Sequence, residues 1–430
     1  MSIVQLKSEN PELSYVIQKN PESGLKLSGI GQGVACAWFS SNNQSYNILF
    51  RDAEDEITYK DYQDQMFEYL NLSRYNSPLF VINSIDEFFR SAFKIKEEKD
   101  RPGYEHSFFI NMMLVKNSRY IDAFADYFDD YKIEYKELVK NNYQIKITTK
   151  KGIFELLNFV SLFATFHAII NDDNLHIREE NVGKCIKSLN IIDAPYFVRY
   201  LFKLRFMFGE NKFSNFKNEL EKTSRYIVNM TFGDTWRARQ EFVESQLDFK
   251  RSVLDIGCGE GKYITRFSDY LKNIKYFAID KDEEVLNKAK KRVANKQVEN
   301  VEFFSSIEEF KLIKFDEPVD IILSEVIEHM EVKEASKLVV DILKNIKFRN
   351  LIITTPDARF NVHYFMKGFR HDDHKFEFNR NEFIDFINEC MFKAGYPKND
   401  NFNVKFVDIG DSVDGIPTSQ GVVITDLDLK

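Results

Sequence analysis

The amino-acid sequence predicts an α/β domain of the Rossmann-like type in the C-terminal half of the chain, preceded by an α+β domain. The length of 430 residues exceeds that of one typical domain. Strand-like and helix-like segments alternate after residue 252, which is typical of a parallel sheet. A glycine-rich turn joins the first of these strands to a helix. We therefore divide the chain into residues 1–225 and 226–430.

Composition favours a soluble protein of the cytoplasm. Hydrophobic residues make up 43% of the chain, and the formal net charge of −8 means that an RNA partner needs a local basic surface. The four cysteines lie far apart in sequence, as expected in a reducing compartment. The N-terminus lacks the layout of a signal peptide, and no apolar run approaches the roughly 20 residues that span a bilayer. We expect no membrane partner.

The N-terminal half mixes two kinds of segment. Short apolar runs bounded by polar residues or proline predict strands, and apolar positions three to four residues apart predict helices. The predicted strands are residues 33–40, 46–50, 79–82 and 143–148. The predicted helices are residues 84–93, 120–131, 152–166 and 195–207. This mixture indicates an α+β domain whose topology the pattern leaves open.

The C-terminal half predicts a seven-stranded, mostly parallel sheet. A helical pattern over residues 235–247 precedes it, and later helices start near Gly261, Asp282 and Lys333. The last two strands are joined by a connection rich in Gly, Pro and Ser and suit an antiparallel edge. The predicted strands are residues 252–256, 275–279, 301–304, 319–323, 351–354, 403–409 and 421–426.

The sequence DIGCGEG at residues 255–261 is typical of a nucleoside-binding turn, because its glycines allow the backbone to turn sharply and approach a ligand. The spacing of dinucleotide sites would require glycine where Lys262 stands. Asp280 ends the second strand, where it is placed to accept both hydroxyls of a ribose. These features favour S-adenosylmethionine over NAD, with a turn that binds no cofactor as the alternative. The candidate cofactor-binding residues here are Asp255, Gly257, Gly259 and Asp280.

A second constellation follows the fourth strand. In a helical turn Glu325, Glu328 and His329 share one face, at positions i, i+3 and i+4. Residues 369–378, with the sequence FRHDDHKFEF, add two further histidines. Two carboxylates and two imidazoles suit Mn²⁺, Fe²⁺, Co²⁺ or Zn²⁺, and Mg²⁺ less well. A similar acid-x-x-Glu-His pattern also occurs in small-molecule methyltransferases, where the histidine is not always a ligand.

With both motifs, the C-terminal half resembles the 3′-terminal RNA ribose 2′-O-methyltransferases of the HUA ENHANCER family. The resemblance rests on LDIGCGEG (254–261), EVIEH (325–329), TPD (355–357) and RHDDHKFEF (370–378). The last segment is the specific one, since most class I methyltransferases share the glycine motif. Asp357 stands where the family usually has Asn, and Phe378 where it usually has Trp.

The resemblance implies a class I Rossmann-like methyltransferase fold and S-adenosylmethionine as the methyl donor. It implies a divalent ion, Mn²⁺ by preference with Mg²⁺ or Co²⁺ as alternatives, that grips the 2′- and 3′-hydroxyls at an RNA 3′ end. Arg237 matches an arginine of the helix before the first strand, and Ser306 a serine near the adenine. His371 is a candidate to remove the hydroxyl proton or a structural neighbour. The metal ligands and catalytic residues that it implies are Glu325, Glu328, His329 and His374.

Around this segment, basic and aromatic residues alternate, which suits contacts to phosphates and bases of RNA or a solvated loop over core phenylalanines. The basic residues are Arg359, Lys367, Arg370, Lys375 and Arg380, and the aromatic ones Phe360, Tyr364, Phe365 and Phe369.

The N-terminal half weakly resembles an extra domain of the family's bacterial members, on residues 10–21 and 100–104. This resemblance implies a kinase-phosphatase-ligase of RNA repair as a partner for residues 1–225. Two other hypotheses remain. The first is a small-molecule O-methyltransferase of the quinone-precursor type, and the second is an assembly platform on which methyl transfer is secondary.

Overall fold

A computed structural model describes residues 2–31, 33–52, 75–173, 179–396 and 402–428. The chain divides into two compact units, Met1–Arg225 and Tyr226–Lys430.

The first unit contains a seven-stranded antiparallel sheet in the order β2-β3-β4-β1-β5-β7-β6. Its strands are β1 (Ser2–Ser8), β2 (Lys26–Ile30), β3 (Gly33–Phe39), β4 (Ser45–Asp52), β5 (His106–Leu114), β6 (Tyr131–Val139) and β7 (Asn142–Thr149). Its helices are α1 (Leu13–Val16), α2 (Pro78–Phe88), α3 (Arg90–Lys94), α4 (Arg119–Tyr127), α5 (Ile153–Asn171), α6 (Glu179–Ile191), α7 (Tyr196–Phe206) and α8 (Glu210–Glu221). Helix α5 packs against β5, α2, α3, α6 and α7.

Helix α5 (Ile153–Asn171) extends beyond the predicted residues 152–166. Among the described residues it is the one helix that, by length and composition alone, meets the requirements for crossing a membrane. However, 78% of its most apolar 18-residue window is buried inside the unit. Phe159, Phe163 and Phe166 have no exposed surface, and the Phe159 ring stacks on Tyr131 with 4.0 Å between centroids. This burial is that of a core helix.

One strand prediction in this unit is wrong, because residues 79–82 lie in α2. Ser77 begins that helix by accepting a hydrogen bond from the Leu79 N–H at 3.2 Å, and Pro78 occupies its first turn. The predicted helix over residues 120–131 ends at Tyr127, and Tyr131 starts β6 instead. The strands β1, β2, β5 and β6 were not predicted.

The second unit contains an eight-stranded sheet in the order β11-β10-β9-β12-β13-β15-β14-β8. Strands β9 to β13 run parallel, and β15, β14 and β8 add antiparallel pairs. Its strands are β8 (Val228–Asn229), β9 (Val253–Ile256), β10 (Tyr276–Ile279), β11 (Val301–Phe304), β12 (Val319–Ser324), β13 (Phe348–Pro356), β14 (Phe402–Val413) and β15 (Ile416–Asp426). Its α-helices are α9 (Thr235–Ser245), α10 (Lys262–Arg266), α11 (Glu283–Asn295), α12 (Ile307–Leu312), α13 (Val332–Asn345) and α14 (Arg380–Ala394).

The predicted mostly parallel sheet is confirmed, and the two-residue strand β8 extends it at one edge. Strand β9 lies at the point where the order reverses, between β10 and β12. In sheets of this type ligands bind at the carboxyl ends of the strands beside this point. The two motifs of the sequence analysis follow β9 and β12, so they meet at this edge.

Candidate active site

The glycine turn after β9 packs directly on the segment after β12. Gly257, Gly259 and Gly261 have φ angles of 78°, 54° and 73°, which favour glycine. The Gly257 N–H donates to the Ile279 carbonyl at 2.8 Å. A Cβ atom at position 257 would lie 2.4 Å from Cγ2 of Val326, one residue after Glu325. The candidate cofactor turn and the candidate metal segment are therefore in contact.

The two acidic residues predicted to bind the cofactor lie in different surroundings. Asp280 is partly exposed at the end of β10, and its Oδ2 accepts from the Gly259 N–H at 2.8 Å. Asp255 is 1% exposed and accepts from the Tyr276 hydroxyl at 2.7 Å. Burial raises the pKa of Asp255 to about 7. Asp280 is thus partly accessible at the edge of the sheet beside the glycine turn, whereas Asp255 lies inside the sheet beneath the turn.

Ser306 and Arg237, also predicted to bind the cofactor, use their polar groups within their own elements. The Ser306 hydroxyl accepts from the Glu309 N–H at 3.1 Å and caps α12. Arg237 pairs with Glu241 at 2.6 Å and lies over the Phe232 ring, with 44% of its side chain exposed. Their roles toward a cofactor remain predictions.

Asp280→Ala is expected to weaken binding of S-adenosylhomocysteine roughly 10- to 100-fold, because a charged acceptor at the end of β10 would be lost. Calorimetric titration of the full chain measures this change. The matched control is Asp269→Ala, which removes the same charge from an exposed position. Unchanged affinity in Asp280→Ala would remove Asp280 from the site.

Three side chains form the one group among the described residues with the geometry to hold a metal ion: Glu328, His329 and His374. Their ligand atoms all lie within 4.8 Å of one another, and Glu328 and His374 are buried. The chain turns at Glu325, whose φ is 57°, into a 3₁₀ turn at Ile327–His329. The Lys375 N–H donates to the Glu328 carbonyl at 2.8 Å, which brings the later segment back over the end of β12.

Carboxylates orient both histidines. Nδ1 of His374 lies 2.6 Å from Oε1 of the buried Glu377, and Nδ1 of His329 lies 3.0 Å from Oδ2 of Asp373. A histidine that bonds a carboxylate through one ring nitrogen presents the other to a metal. Glu377 and Asp373 were not foreseen, although Glu377 follows His374 at i+3.

The donor set fits a divalent cation. Oε1 of Glu328 is buried and has no hydrogen-bond partner among the described residues, while its Oε2 accepts from Thr355 at 3.3 Å. Burial, with the nearby negative charge of Glu325 adding to it, raises the pKa of Glu328. A buried, unpaired carboxylate oxygen beside two imidazoles is costly unless a cation binds there.

Glu325, the fourth predicted ligand, lies outside this group. Its Oε2 is 3.2 Å from Nη1 of Arg239 on α9, and its Oε1 accepts from the Thr354 hydroxyl at 3.2 Å. The family resemblance implies a role for Arg237 on the same helix but none for Arg239. The ring of His371, which is exposed, lies 5.2 Å from that of His374, and His371 does not belong to the group.

Three of the five predicted basic residues hold the surrounding loop together. Arg359 makes two contacts with Asp357, at 3.0 and 2.5 Å, which offset the charge that this departure from the family adds. Arg370 donates to Asn361 at 2.7 Å, and Arg380 donates to the Val407 carbonyl at 3.1 Å. The two exposed basic residues are Lys367 and Lys375. Of the aromatic residues, Phe369, between them in sequence, is 47% exposed, whereas Phe360 is buried.

The strand order, the glycine turn and the acidic end of the next strand together define a class I methyltransferase domain. A family model described as a methyltransferase domain matches residues 247–383. A second one, described as the Hen1 N-terminal domain, matches residues 3–225, just over half of the chain. The chain therefore belongs to the Hen1 family, which confirms the family resemblance.

Similar proteins include a small RNA 2′-O-methyltransferase of Caenorhabditis elegans, 29% identical over 181 residues, or 36% of this chain and 41% of the relative. One of Xenopus tropicalis is 30% identical over 195 residues, or 40% and 52%. The chain thus spans about half the length of these relatives or less. A chain of a solved structure described as the Pnkp1/Rnl/Hen1 RNA repair complex is 28% identical, with a TM-score of 0.78. That match covers 98% of this chain and 100% of the other, so the likeness includes both units.

Proposed function

We propose that this chain transfers a methyl group from S-adenosylmethionine to the 2′-hydroxyl of the 3′-terminal nucleotide of RNA, with the help of a divalent ion, in RNA repair. The observation that carries the proposal is the group of Glu328, His329 and His374 beside the glycine turn. The names of the curated relatives and the description of the solved complex support RNA as the substrate.

Methyl transfer from a sulfonium is an in-line displacement, so the enzyme has mainly to align the hydroxyl oxygen with the methyl carbon. A bound divalent ion, Mn²⁺ by preference, supplies stabilisation of the developing alkoxide. Glu328, His329 and His374 would hold the ion, with Glu325 as the proposed fourth ligand. Glu377 and Asp373 orient the imidazole rings, and Gly257 lies close to Val326, so the two halves of the site are adjacent.

Binding and proton transfer fall to residues around this group. The glycine turn and Asp280 would bind the cofactor. Lys367, Lys375 and Phe369 are exposed on the adjoining loop, where they suit the phosphates and a stacked base of a single-stranded 3′ end. His371 is the exposed imidazole beside His374 and is the candidate to accept the hydroxyl proton.

The test is methyl transfer to three RNA oligonucleotides that differ only in the last nucleotide: 2′,3′-dihydroxyl, 2′-deoxy and 3′-phosphate. We expect methylation of the first alone, because the second lacks the nucleophile and the third lacks the 3′-hydroxyl proposed to bind the ion. Equal labelling of the 2′-deoxy oligonucleotide would contradict the proposal. Labelling of catechol-like small molecules but of no RNA would favour the quinone-precursor alternative, which gives no role to the buried pair of His374 and Glu377.

For residues 1–225 we propose binding to a kinase-phosphatase-ligase of RNA repair. The likeness of both units to a chain from a repair complex supports this assignment. Co-elution of the full chain with such a protein in size-exclusion chromatography, at micromolar concentrations, is the test. Separate elution of the two proteins would contradict the proposed partner of residues 1–225.

A further inference from the structure

Arg239 is a residue of α9 whose side chain contacts Glu325, beside the candidate metal site. Its side chain is 15% exposed, and Nη1 lies 3.2 Å from Oε2 of Glu325 and 3.3 Å from the hydroxyl of Ser419. Its Nε is buried and has no hydrogen-bond partner among the residues that the structure describes. The guanidinium contacts Glu325 through Nη1, and its Nε takes no part in the contact.

Glu325 is fixed from the opposite side as well. Its backbone N–H donates to the Thr354 carbonyl at 2.9 Å, and the Thr354 hydroxyl donates to its Oε1. The carboxylate is thus turned toward Arg239 instead of joining Glu328, three residues later. A rotation that brought Oε2 of Glu325 to the metal group would have to break its contact with Arg239.

We propose that Arg239 competes with the metal ion for Glu325, an inference that rests on the proposed metal site. The guanidinium offsets the charge of Glu325, and its positive charge also acts on Glu328. A divalent ion would bring two positive charges to the same carboxylates. The ion and the guanidinium of Arg239 would therefore repel each other. Arg239 therefore lowers the affinity of the site for the ion.

The experiment is a titration of the full chain with Mn²⁺, without RNA or cofactor, in which electron paramagnetic resonance measures free Mn²⁺. Arg239→Gln is expected to lower the Kd for Mn²⁺ roughly 2- to 5-fold, the upper part of the range for loss of one ion pair. Arg239→Lys keeps the charge and should remain close to the original protein. The matched control is Arg251→Gln, because Arg251 contacts Asp248 at the same distance of 3.2 Å away from the metal group.

A double-variant cycle tests whether the effect passes through Glu325. Against a Glu325→Gln background, Arg239→Gln should change the Kd little, because no carboxylate remains to be released. An unchanged or raised Kd in Arg239→Gln, or an equal gain in the Glu325→Gln background, would overturn the role of Arg239. Should the original protein bind no Mn²⁺, the metal site itself would be wrong. Circular dichroism checks the fold, and Arg239→Met replaces a glutamine variant that does not fold.

Discussion

His374→Ala is expected to abolish methyl transfer to RNA at ordinary Mn²⁺ concentrations and to raise the Kd for Mn²⁺ by at least roughly 100-fold. The loss of a residue that merely orients a ligand already costs about 10- to 100-fold in metal affinity or activity. His374 is itself one of the three grouped ligands, and its removal also leaves the buried Glu377 without its imidazole partner. Mn²⁺ titration and methyl transfer to the dihydroxyl oligonucleotide measure the two effects, and added Mn²⁺ should restore part of the activity.

The matched control is His363→Ala, which removes a histidine from the preceding loop. The His363 ring packs 5.1 Å from that of Phe360 and 6.1 Å from that of Tyr226, and it does not belong to the metal group. This variant should bind Mn²⁺ as the original protein does. Full activity of His374→Ala that a chelator still abolishes would show that the ion binds elsewhere, and the small-molecule alternative would gain support.

The grouping of His374 with His329 shows how far the sequence could lead. The spacing of Glu328 and His329 after a buried strand indicated a local site, but 45 residues separate His374 from His329. The histidines of residues 369–378 suggested a further imidazole ligand, but only the resemblance selected His374, since no local pattern encodes the long-range bond between Lys375 and the Glu328 carbonyl. Glu377 had a readable signal, its i+3 spacing from His374, although the pair is fixed by burial and not by helix geometry.

The choice between Arg237 and Arg239 illustrates a different limit. Residues two positions apart on a helix, such as 237 and 239, are separated by about 200° around its axis, so these two arginines face nearly opposite directions. The sequence located the helix at residues 235–247 but not the rotation at which it packs on the sheet. The structure turns Arg239 toward Glu325 and leaves Arg237 with Glu241.

In the N-terminal unit, the local hydrophobic pattern did not predict the structure of segments whose conformation depends on pairing with distant strands. Strand β5 reads HSFFINMML, a continuous apolar run that suits a strand or a buried helix equally. It is a strand because it pairs with β1, about 100 residues earlier, and with β7. Residues 79–82 have the composition of a strand, yet the Ser77–Pro78 start and the apolar spacing through Phe88 make them a helix.

Gly257→Ala is expected to impair both halves of the site and to lower the free energy of unfolding by about 2–5 kcal/mol, a large part of a typical domain's stability. An alanine at a φ of 78° is strained by about 1–2 kcal/mol. Its Cβ would also lie 2.4 Å from Cγ2 of Val326, and such overpacking costs about 1–3 kcal/mol more. Chemical unfolding measures the stability, and calorimetry with S-adenosylhomocysteine and with Mn²⁺ measures the two binding sites.

Gly259→Ala separates strain from collision, because its φ of 54° is also positive but no atom lies within 4 Å of its added Cβ. The free energy of unfolding of this variant should fall only by the cost of the backbone strain, and its Mn²⁺ affinity should not change. Val326→Ala combined with Gly257→Ala removes the colliding methyl groups, so it should recover Mn²⁺ binding while the backbone strain at residue 257 persists. If Gly257→Ala weakened cofactor binding but left Mn²⁺ affinity untouched, the contact with Val326 would not couple the glycine turn to Glu328 and His329. In that case the glycine turn alone would have moved to accommodate the alanine.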